Sequence, residues 1–339
     1  MQKRGGLEKY TKRLADGFSQ KGHDVTLLTS DKKSRFSLYQ LLQYDRYCKK
    51  YIESEKPDII FGMERNFCLQ THYRAGNGCH AAYLERRKMR EGIVKRLSFA
   101  LNPLHKLILA MEKKTFESPD LKKLFVNSAL VEREILTHYP AVEPDKIVVV
   151  HNGVEWHELE KPFEEGFTKP RLWAYQFLFV GNEYERKGLN ELLEALGALT
   201  SEQWELTVIG KERNPKHFYQ KVADLGLEKK VHFLGQVSDV RPYYSKADCL
   251  VIPSRYDPFA NVTVEALAMG LLVISSTHNG GHEVLKSPNF IYNSQEELEN
   301  CLKQALKHPK THLSATVIRN SIAHLDFKNQ IQKVIDASI

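Results

Sequence analysis

The sequence predicts an α/β protein made of two doubly wound, Rossmann-like domains with parallel sheets. Three observations carry this. Apolar runs of strand length recur along the chain, the runs are continuous rather than alternating, and helical segments separate them. Continuous apolar runs suit strands buried on both faces of a parallel sheet, and repeated strand–helix units give a doubly wound architecture. One domain of ordinary size does not use 339 residues, so two are expected.

Taken in order, Leu7, Tyr10, Leu14 and Phe18 step by three and four along one helical face, and Gly22 stands where a C-cap ends that helix. Strands are expected at 25–29, 58–63, 123–127 and 147–151, then at 177–181, 206–210, 231–235, 249–253, 271–275 and 290–293. The acidic, Pro-containing stretch 155–171 (EWHELEKPFEEGFTKPR) reads as the linker between two sheets. The expected division is therefore 1–155 for an N-terminal domain and 156–320 for a C-terminal domain. A final helix at 321–339 is expected to pack back on the N-terminal domain. Ligand in this layout binds at the carboxyl ends of strands, in the cleft between the domains.

Composition narrows the function classes. The chain is 42% hydrophobic and 27% charged, as a globular protein is. No apolar run approaches the roughly 20 residues of a membrane-spanning helix, and the start, MQKRGGLEKYTKR, lacks the apolar core of a secretory signal. Five cysteines without a CxxC pair argue against a disulfide framework and against a zinc cage. A reduced, cytoplasmic setting is the default, and no metal is called for.

Charge is unevenly placed. Residues 1–155 hold 28 Lys+Arg against 19 Asp+Glu, a net +9, which leaves −2 for residues 156–339. Residues 84–123 alone hold 11 basic and 5 acidic side chains. Such a stretch suits either anionic lipid headgroups or a phosphorylated acceptor, or else it is a solvated pair of helices. Nucleic acid is not expected, because the stretch lacks interleaved stacking aromatics and no nucleic-acid-binding motif occurs.

Two segments carry chemistry. Gly181 ends an expected strand, and Arg186-Lys187-Gly188 follows just before a helix; two adjacent cations there can clamp a diphosphate. Residues 254–270 (SRYDPFANVTVEALAMG) follow another strand. In that segment Asp257 lies in a loop and Asn261 is the expected N-cap. The backbone N–H groups of Val262 and Thr263 are expected as open donors for phosphate oxygens, and Glu265 is placed to reach a ribose diol. A bland alternative makes Asp257 a loop carboxylate and Glu265 a helix-dipole partner.

These residues resemble the GT-B glycosyltransferases, in particular the large retaining group (family 4, group 1 type) that includes lipopolysaccharide core glucosyltransferases. The signature E-x7-E appears as Asp257-x7-Glu265 followed by EALAMG. Further matches are Gly5-Gly6-Leu7-Glu8, Gly22-His23-Asp24-Val25, Val150-His151-Asn152-Gly153-Val154, Arg186-Lys187-Gly188, and Phe233-Leu234-Gly235 leading to Tyr244 and Ala247-Asp248. They run in the family's order from position 5 to about 285.

The resemblance implies a hexosyltransferase that uses a UDP-sugar as donor substrate and requires no cofactor. Arg186 and Lys187 would neutralise the departing diphosphate, Glu265 would hold the ribose, and Asp257 would contact the donor sugar. Gly5 and Gly6 would let backbone approach the phosphates. The implied acceptor is a glycan or lipid-linked molecule such as lipopolysaccharide core, reached from the cytoplasmic membrane face. Two departures are noted. The first acid is Asp rather than Glu. Only Met1-Gln2-Lys3-Arg4 precede the Gly-Gly pair, so the family's first strand is expected to be missing: either the true start lies upstream, or the N-terminal domain is incomplete, which keeps open a non-catalytic or impaired sugar-nucleotide-binding protein. A small soluble acceptor is the other alternative.

On the acceptor side, 71–80 (THYRAGNGCH) reads as a Gly-rich loop. His80 or His72 is the candidate general base there, or polarises the acceptor hydroxyl, since an imidazole titrates near pH 6.5; the bland alternative is a structural hydrogen-bonder. Arg74 is placed to hold an acidic acceptor group.

Overall fold

The computed structural model describes residues 6–29, 37–90, 102–168, 173–199 and 203–339. The chain forms two compact units, one of residues 1–150 with 330–339, the other of residues 151–329.

The first unit contains a parallel four-stranded sheet of β1 (Phe61–Gly62), β2 (His72–Arg74), β3 (Lys123–Val126) and β4 (Ile147–Val149), in that order. Its helices are α1 (Gly6–Gln20), α2 (Ser37–Glu55), α3 (His80–Arg90), α4 (Pro103–Phe116) and α5 (Ala129–His138). Tyr10, Leu14 and Phe18 are buried along one side of α1, and Gly22 closes it at φ +88°, a conformation glycine adopts without a Cβ penalty. At Gly17, α1 meets Ile331 and Ile335 of the C-terminal helix, so closely that a Cβ would fall 2.7 Å from Ile335 Cδ1.

Three expectations change here. Residues 25–29 join no ladder, and Leu27 is 49% exposed. An apolar run becomes a strand only where a neighbour pairs with it, and among the described residues none does. Segment 71–80 is not a loop throughout: it supplies β2, a turn with Gly78 at φ +74°, and the first residue of α3. The strand escaped notice because its residues are polar types, yet His72 and Tyr73 are buried and the His72 ring stacks on Phe61 with centroids 6.0 Å apart. Gly6 opens α1 rather than a loop. Gly5, and residues 91–101 of the basic stretch, lie outside the described residues.

The second unit holds a parallel six-stranded sheet in the order β10-β9-β8-β5-β6-β7. Its strands are β5 (Tyr175–Val180), β6 (Trp204–Ile209), β7 (Val231–Gly235), β8 (Cys249–Ile252), β9 (Leu272–Ser276) and β10 (Ile291–Tyr292). Successive side chains point to opposite faces, and both faces are covered. Phe177, Phe179, Cys249 and Val251 enter one core layer with Leu192 and Leu196. Leu178, Leu250 and Ile252 enter the other with Val264 and Leu267. Each such fully buried side chain contributes about 1.5–3 kcal/mol, which is why these strands are apolar throughout.

The helices of this unit are α6 (Glu160–Glu165), α7 (Leu189–Gly197), α8 (Lys216–Asp224), α9 (Arg241–Lys246), α10 (Asn261–Ala268), α11 (Gln295–Ala305), α12 (His312–Ser321) and α13 (Phe327–Asp336), the last passing into the first unit from Gln330 onward. The described part of the expected linker, 155–168, is folded rather than open: Leu159 and Phe163 are buried in the second core layer. The Arg319 guanidinium lies 4.1 Å above the Trp156 ring and donates to the Trp156 carbonyl at 3.2 Å. Surrounding acidic residues had hidden that pair of a buried Arg319 and a half-buried Trp156.

Candidate active site

The strand order of the second unit reverses direction between β5 and β8, and ligands in open α/β sheets bind beyond the carboxyl ends of strands at such a point. Both chemistry-bearing segments emerge there. The segment 181–188 leaves β5 and 253–260 leaves β8, and they are tied together by the Arg255 N–H donating to the Arg186 carbonyl at 3.1 Å.

Glycines make that closeness possible. At Gly188, φ is +77° and a Cβ would stand 1.7 Å from the Pro253 carbonyl oxygen. The position therefore demands glycine for both conformation and space. At Gly181 a Cβ would press on the Lys187 stem, 3.0 Å from its Cγ. Gly181 thus seats a lysine side chain. The Tyr184 hydroxyl donates to the Gly210 carbonyl at 2.8 Å, pinning the turn from below.

The structure brings Arg186, Lys187 and Asp257 together. Lys187 Nζ donates to Asp257 Oδ2, with side chains only 14% and 11% exposed. Arg186 donates to the Tyr256 carbonyl at 3.3 Å and to Glu183 at 2.6 Å. Asp257 is itself fixed: its N–H donates to the His278 carbonyl, its carbonyl accepts from Gly280, and its Oδ1 accepts from Phe259 N at 3.2 Å.

Asn261 is not the N-cap of α10. That position is Ala260, whose N–H donates to Asn279 Oδ1 at 2.9 Å, and Asn261 is the first helical residue. Its side-chain oxygen instead accepts from Asn152 at 2.7 Å. Asn261 and Val262 occupy the first turn, whose N–H groups have no helical acceptor. Thr263 differs from the expectation: its N–H donates to the Ala260 carbonyl at 2.9 Å, and its buried hydroxyl accepts from Asn279 at 3.3 Å. Thr263 is part of the core, not an open donor, because the helix starts one residue earlier than an Asn261 cap would start it.

Glu265 is half-buried and accepts a 2.8 Å hydrogen bond from the Tyr244 hydroxyl. Burial pushes its carboxyl above the ordinary glutamate range, and the Tyr244 bond opposes this in part.

Sequence reasoning passed over Asn279 and Glu283. Asn279 bonds Ala260, Gly281 and Ser275 and so holds the helix start against the end of β9. Glu283 meets His151 Nε2 at 3.1 Å. The readable signal was Asn279-Gly280-Gly281, a turn signature three residues beyond the end of β9 at Ser276.

His80 stands in the first unit, at the start of α3. Its N–H donates to the buried Glu112 at 2.9 Å, and its Nε2 lies 3.1 Å from His105 Nδ1. Burial, with Arg65 and His105 nearby, lowers its pKa to about 4, so its ring is neutral at pH 7.

Two compact α/β units, one presenting paired cations and carboxylates at its switch point, define a two-unit, doubly wound α/β protein with a charged switch point. Residues 4–157 match Glycosyltransferase Family 4 and residues 174–308 match Glycosyl transferases group 1; the chain belongs to this glycosyltransferase family and is a transferase of GT-B fold. It is 28% identical over 321 residues to the uncharacterized glycosyltransferase MJ1607 of Methanocaldococcus jannaschii, covering 83% of this chain and 79% of the relative. It is 24% identical over 338 residues to the lipopolysaccharide glucosyltransferase WaaG of Escherichia coli, covering 89% and 86%. The crystal structure of WaaG, a glycosyltransferase involved in lipopolysaccharide biosynthesis, superposes with a TM-score of 0.74 at 22% identity over 98% of this chain and 96% of that one. Anabaena HepE, crystallised with UDP and glucose, superposes with a TM-score of 0.62 at 17% identity, covering 99% and 96%. Among the described residues no helix is long and apolar enough to cross a membrane.

Proposed function

We propose that this transferase moves a hexose, glucose in the first instance, from a UDP-sugar to a glycan or lipid-linked acceptor such as lipopolysaccharide core, with retention of the anomeric configuration. The observation that carries the reading is the Lys187–Asp257 pair at the β5/β8 switch point, with Glu265 on the helix that follows. Breaking a glycosyl–phosphate bond leaves charge on the diphosphate. Arg186, Lys187 and the N–H groups at the start of α10 are preorganised positive poles for that charge. Glu265 takes the ribose diol, and Asp257 passes from Lys187 to the hydroxyls of the donor sugar. No glycosidase-like carboxylate nucleophile is called for when the leaving diphosphate itself takes the acceptor proton on the same face. WaaG's name and the UDP and glucose in the HepE crystal favour this donor. The net +9 of residues 1–155 favours an acceptor or surface of negative charge.

The test is incubation with UDP-glucose and truncated lipopolysaccharide in vesicles with and without anionic lipid. UDP release and the anomeric proton of the product are read by NMR. The reading expects acceptor-dependent UDP release, an α-linked product, and faster turnover on anionic vesicles. A β-linked product would refute retention, and UDP bound but never released would make the chain a binding protein.

A further inference from the structure

The Glu265 carboxylate on α10 is held by one side chain from a different element. Tyr244, on α9, is buried, and its ring lies in the second core layer with Leu178, Ile209 and Leu250. Its backbone is tied as well: the Tyr244 N–H donates to the Val240 carbonyl at 3.2 Å, and its carbonyl accepts from Lys310 Nζ at 3.3 Å. A ring packed in this way fixes the position of its hydroxyl, which stands 2.8 Å from Glu265 Oε2. The core alone would be served by phenylalanine. A buried tyrosine hydroxyl needs a partner, and here that partner is Glu265. Among the described residues no cation pairs with Glu265, and Tyr244 is the one side chain that hydrogen-bonds its carboxylate.

We infer that Tyr244 is a positioning residue: its hydroxyl pins Glu265 Oε2, leaves Oε1 to accept from the ribose diol, and so sets the preference of the site for a ribose over a sugar that lacks the diol. The inference rests on Glu265 taking the ribose. A carboxylate offers about four acceptor sites, and Tyr244 fills one of them. A half-buried carboxylate with no counter-ion and few donors carries a desolvation cost that further donors relieve. Two adjacent ribose hydroxyls are such donors. A free glutamate side chain would have to be ordered when the nucleotide arrives, at a cost in rotamer entropy. The bond from Tyr244 orders it beforehand, and by donating to the carboxylate it favours the ionised form that accepts both hydroxyls. A site built to bond a hydroxyl rejects the analogue that lacks it, because its own polar group is then left unpaired.

The test is calorimetric titration of the purified full chain with UDP and with 2′,3′-dideoxy-UDP. Wild type, Tyr244→Phe, Glu265→Gln and the double variant are compared; phenylalanine keeps every ring contact, and urea melts check that each variant unfolds cooperatively. Wild type is expected to bind UDP about tenfold to a hundredfold more tightly than the dideoxy compound, the effect of losing hydrogen bonds to a charged acceptor. Tyr244→Phe should weaken UDP, leave the dideoxy compound unchanged, and bring the ratio of the two affinities toward one. In the Glu265→Gln background the same substitution should change that ratio no further, because Tyr244 acts through Glu265. Equal weakening of both nucleotides by Tyr244→Phe would mark a structural role and overturn the inference. So would a full ratio kept by Tyr244→Phe beside one lost in Glu265→Gln. A wild-type chain that binds both nucleotides alike would instead refute the assignment of Glu265 to the ribose, and the inference with it.

Discussion

Separating Lys187 from Asp257 should lower stability whichever partner is removed, yet move nucleotide affinity in opposite directions. Removing one member of a buried ion pair costs about 3–5 kcal/mol because the other charge stays behind uncompensated. Here the side chains keep 14% and 11% exposure, and water screens part of that cost. Lys187→Met and Asp257→Asn are each expected to cost about 2–3 kcal/mol. The double variant should recover part of it, with a coupling of about 1–2 kcal/mol. Tryptophan fluorescence in urea is a suitable readout, since Trp156, Trp173 and Trp204 all lie in the second unit. Calorimetric titration with UDP then tests the electrostatics. Lys187→Met deletes a charge-assisted bond to the diphosphate worth about 1.5–3 kcal/mol, weakening UDP about tenfold to a hundredfold. Asp257→Asn deletes a negative charge beside the same diphosphate, so UDP should bind as tightly as to the wild type or more tightly, while turnover of UDP-glucose falls. Equal weakening of UDP by both variants would refute the assignment of Lys187 to phosphate and Asp257 to sugar.

Four other outcomes are expected. Glu265→Gln should raise the apo melting temperature at neutral pH, because the folded state holds the Glu265 proton to higher pH than the unfolded state, so this group's contribution favours folding at low pH and is lost as pH rises through its folded pKa. Gly188→Ala should destabilise by at least about 1–2 kcal/mol for the φ of +77° alone, with the clash against Pro253 added, and should weaken UDP binding; urea melts and titration check both. Thr263→Val should cost about 1 kcal/mol in urea melts, since Asn279 keeps its 3.0 Å bond to Ser275, and should leave UDP affinity unchanged. His72 and His80 have folded pKa values of about 4 against 6.5 unfolded, so stability should fall as pH drops from 6.5 toward 4. His80→Gln should flatten that fall in a pH series of urea melts.

The second unit was readable in the sequence because its strands are buried on both faces, which forces continuous apolar runs such as those of β5 and β8. The first unit was less so. Its strand β2 is written in His72, Tyr73 and Arg74, where pairing and ring stacking replace an apolar run, and 25–29 has the apolar run with no pairing strand among the described residues. At the site, residue types were legible where chemistry restricts them: adjacent cations, two carboxylates, and a glycine whose Cβ would collide. Backbone detail was not. The helix start at Ala260 depends on Asn279, which lies on a different turn after β9, so no local pattern marks Asn261 as one residue too late. The Lys187–Asp257 contact likewise joins two segments whose nearness follows only from the strand order.

Binding of a uridine diphosphate by the second unit through Lys187 and Glu265 is tested by thermal unfolding against UDP, GDP, ADP and CMP. A ligand held by the native state alone stabilises by about 2.7 kcal/mol at a hundredfold excess over Kd. A UDP-selective rise in melting temperature is expected, one that Glu265→Ala abolishes while still melting cooperatively. A rise that the variant keeps, a rise larger with GDP or ADP than with UDP, or no rise with any nucleotide would contradict it.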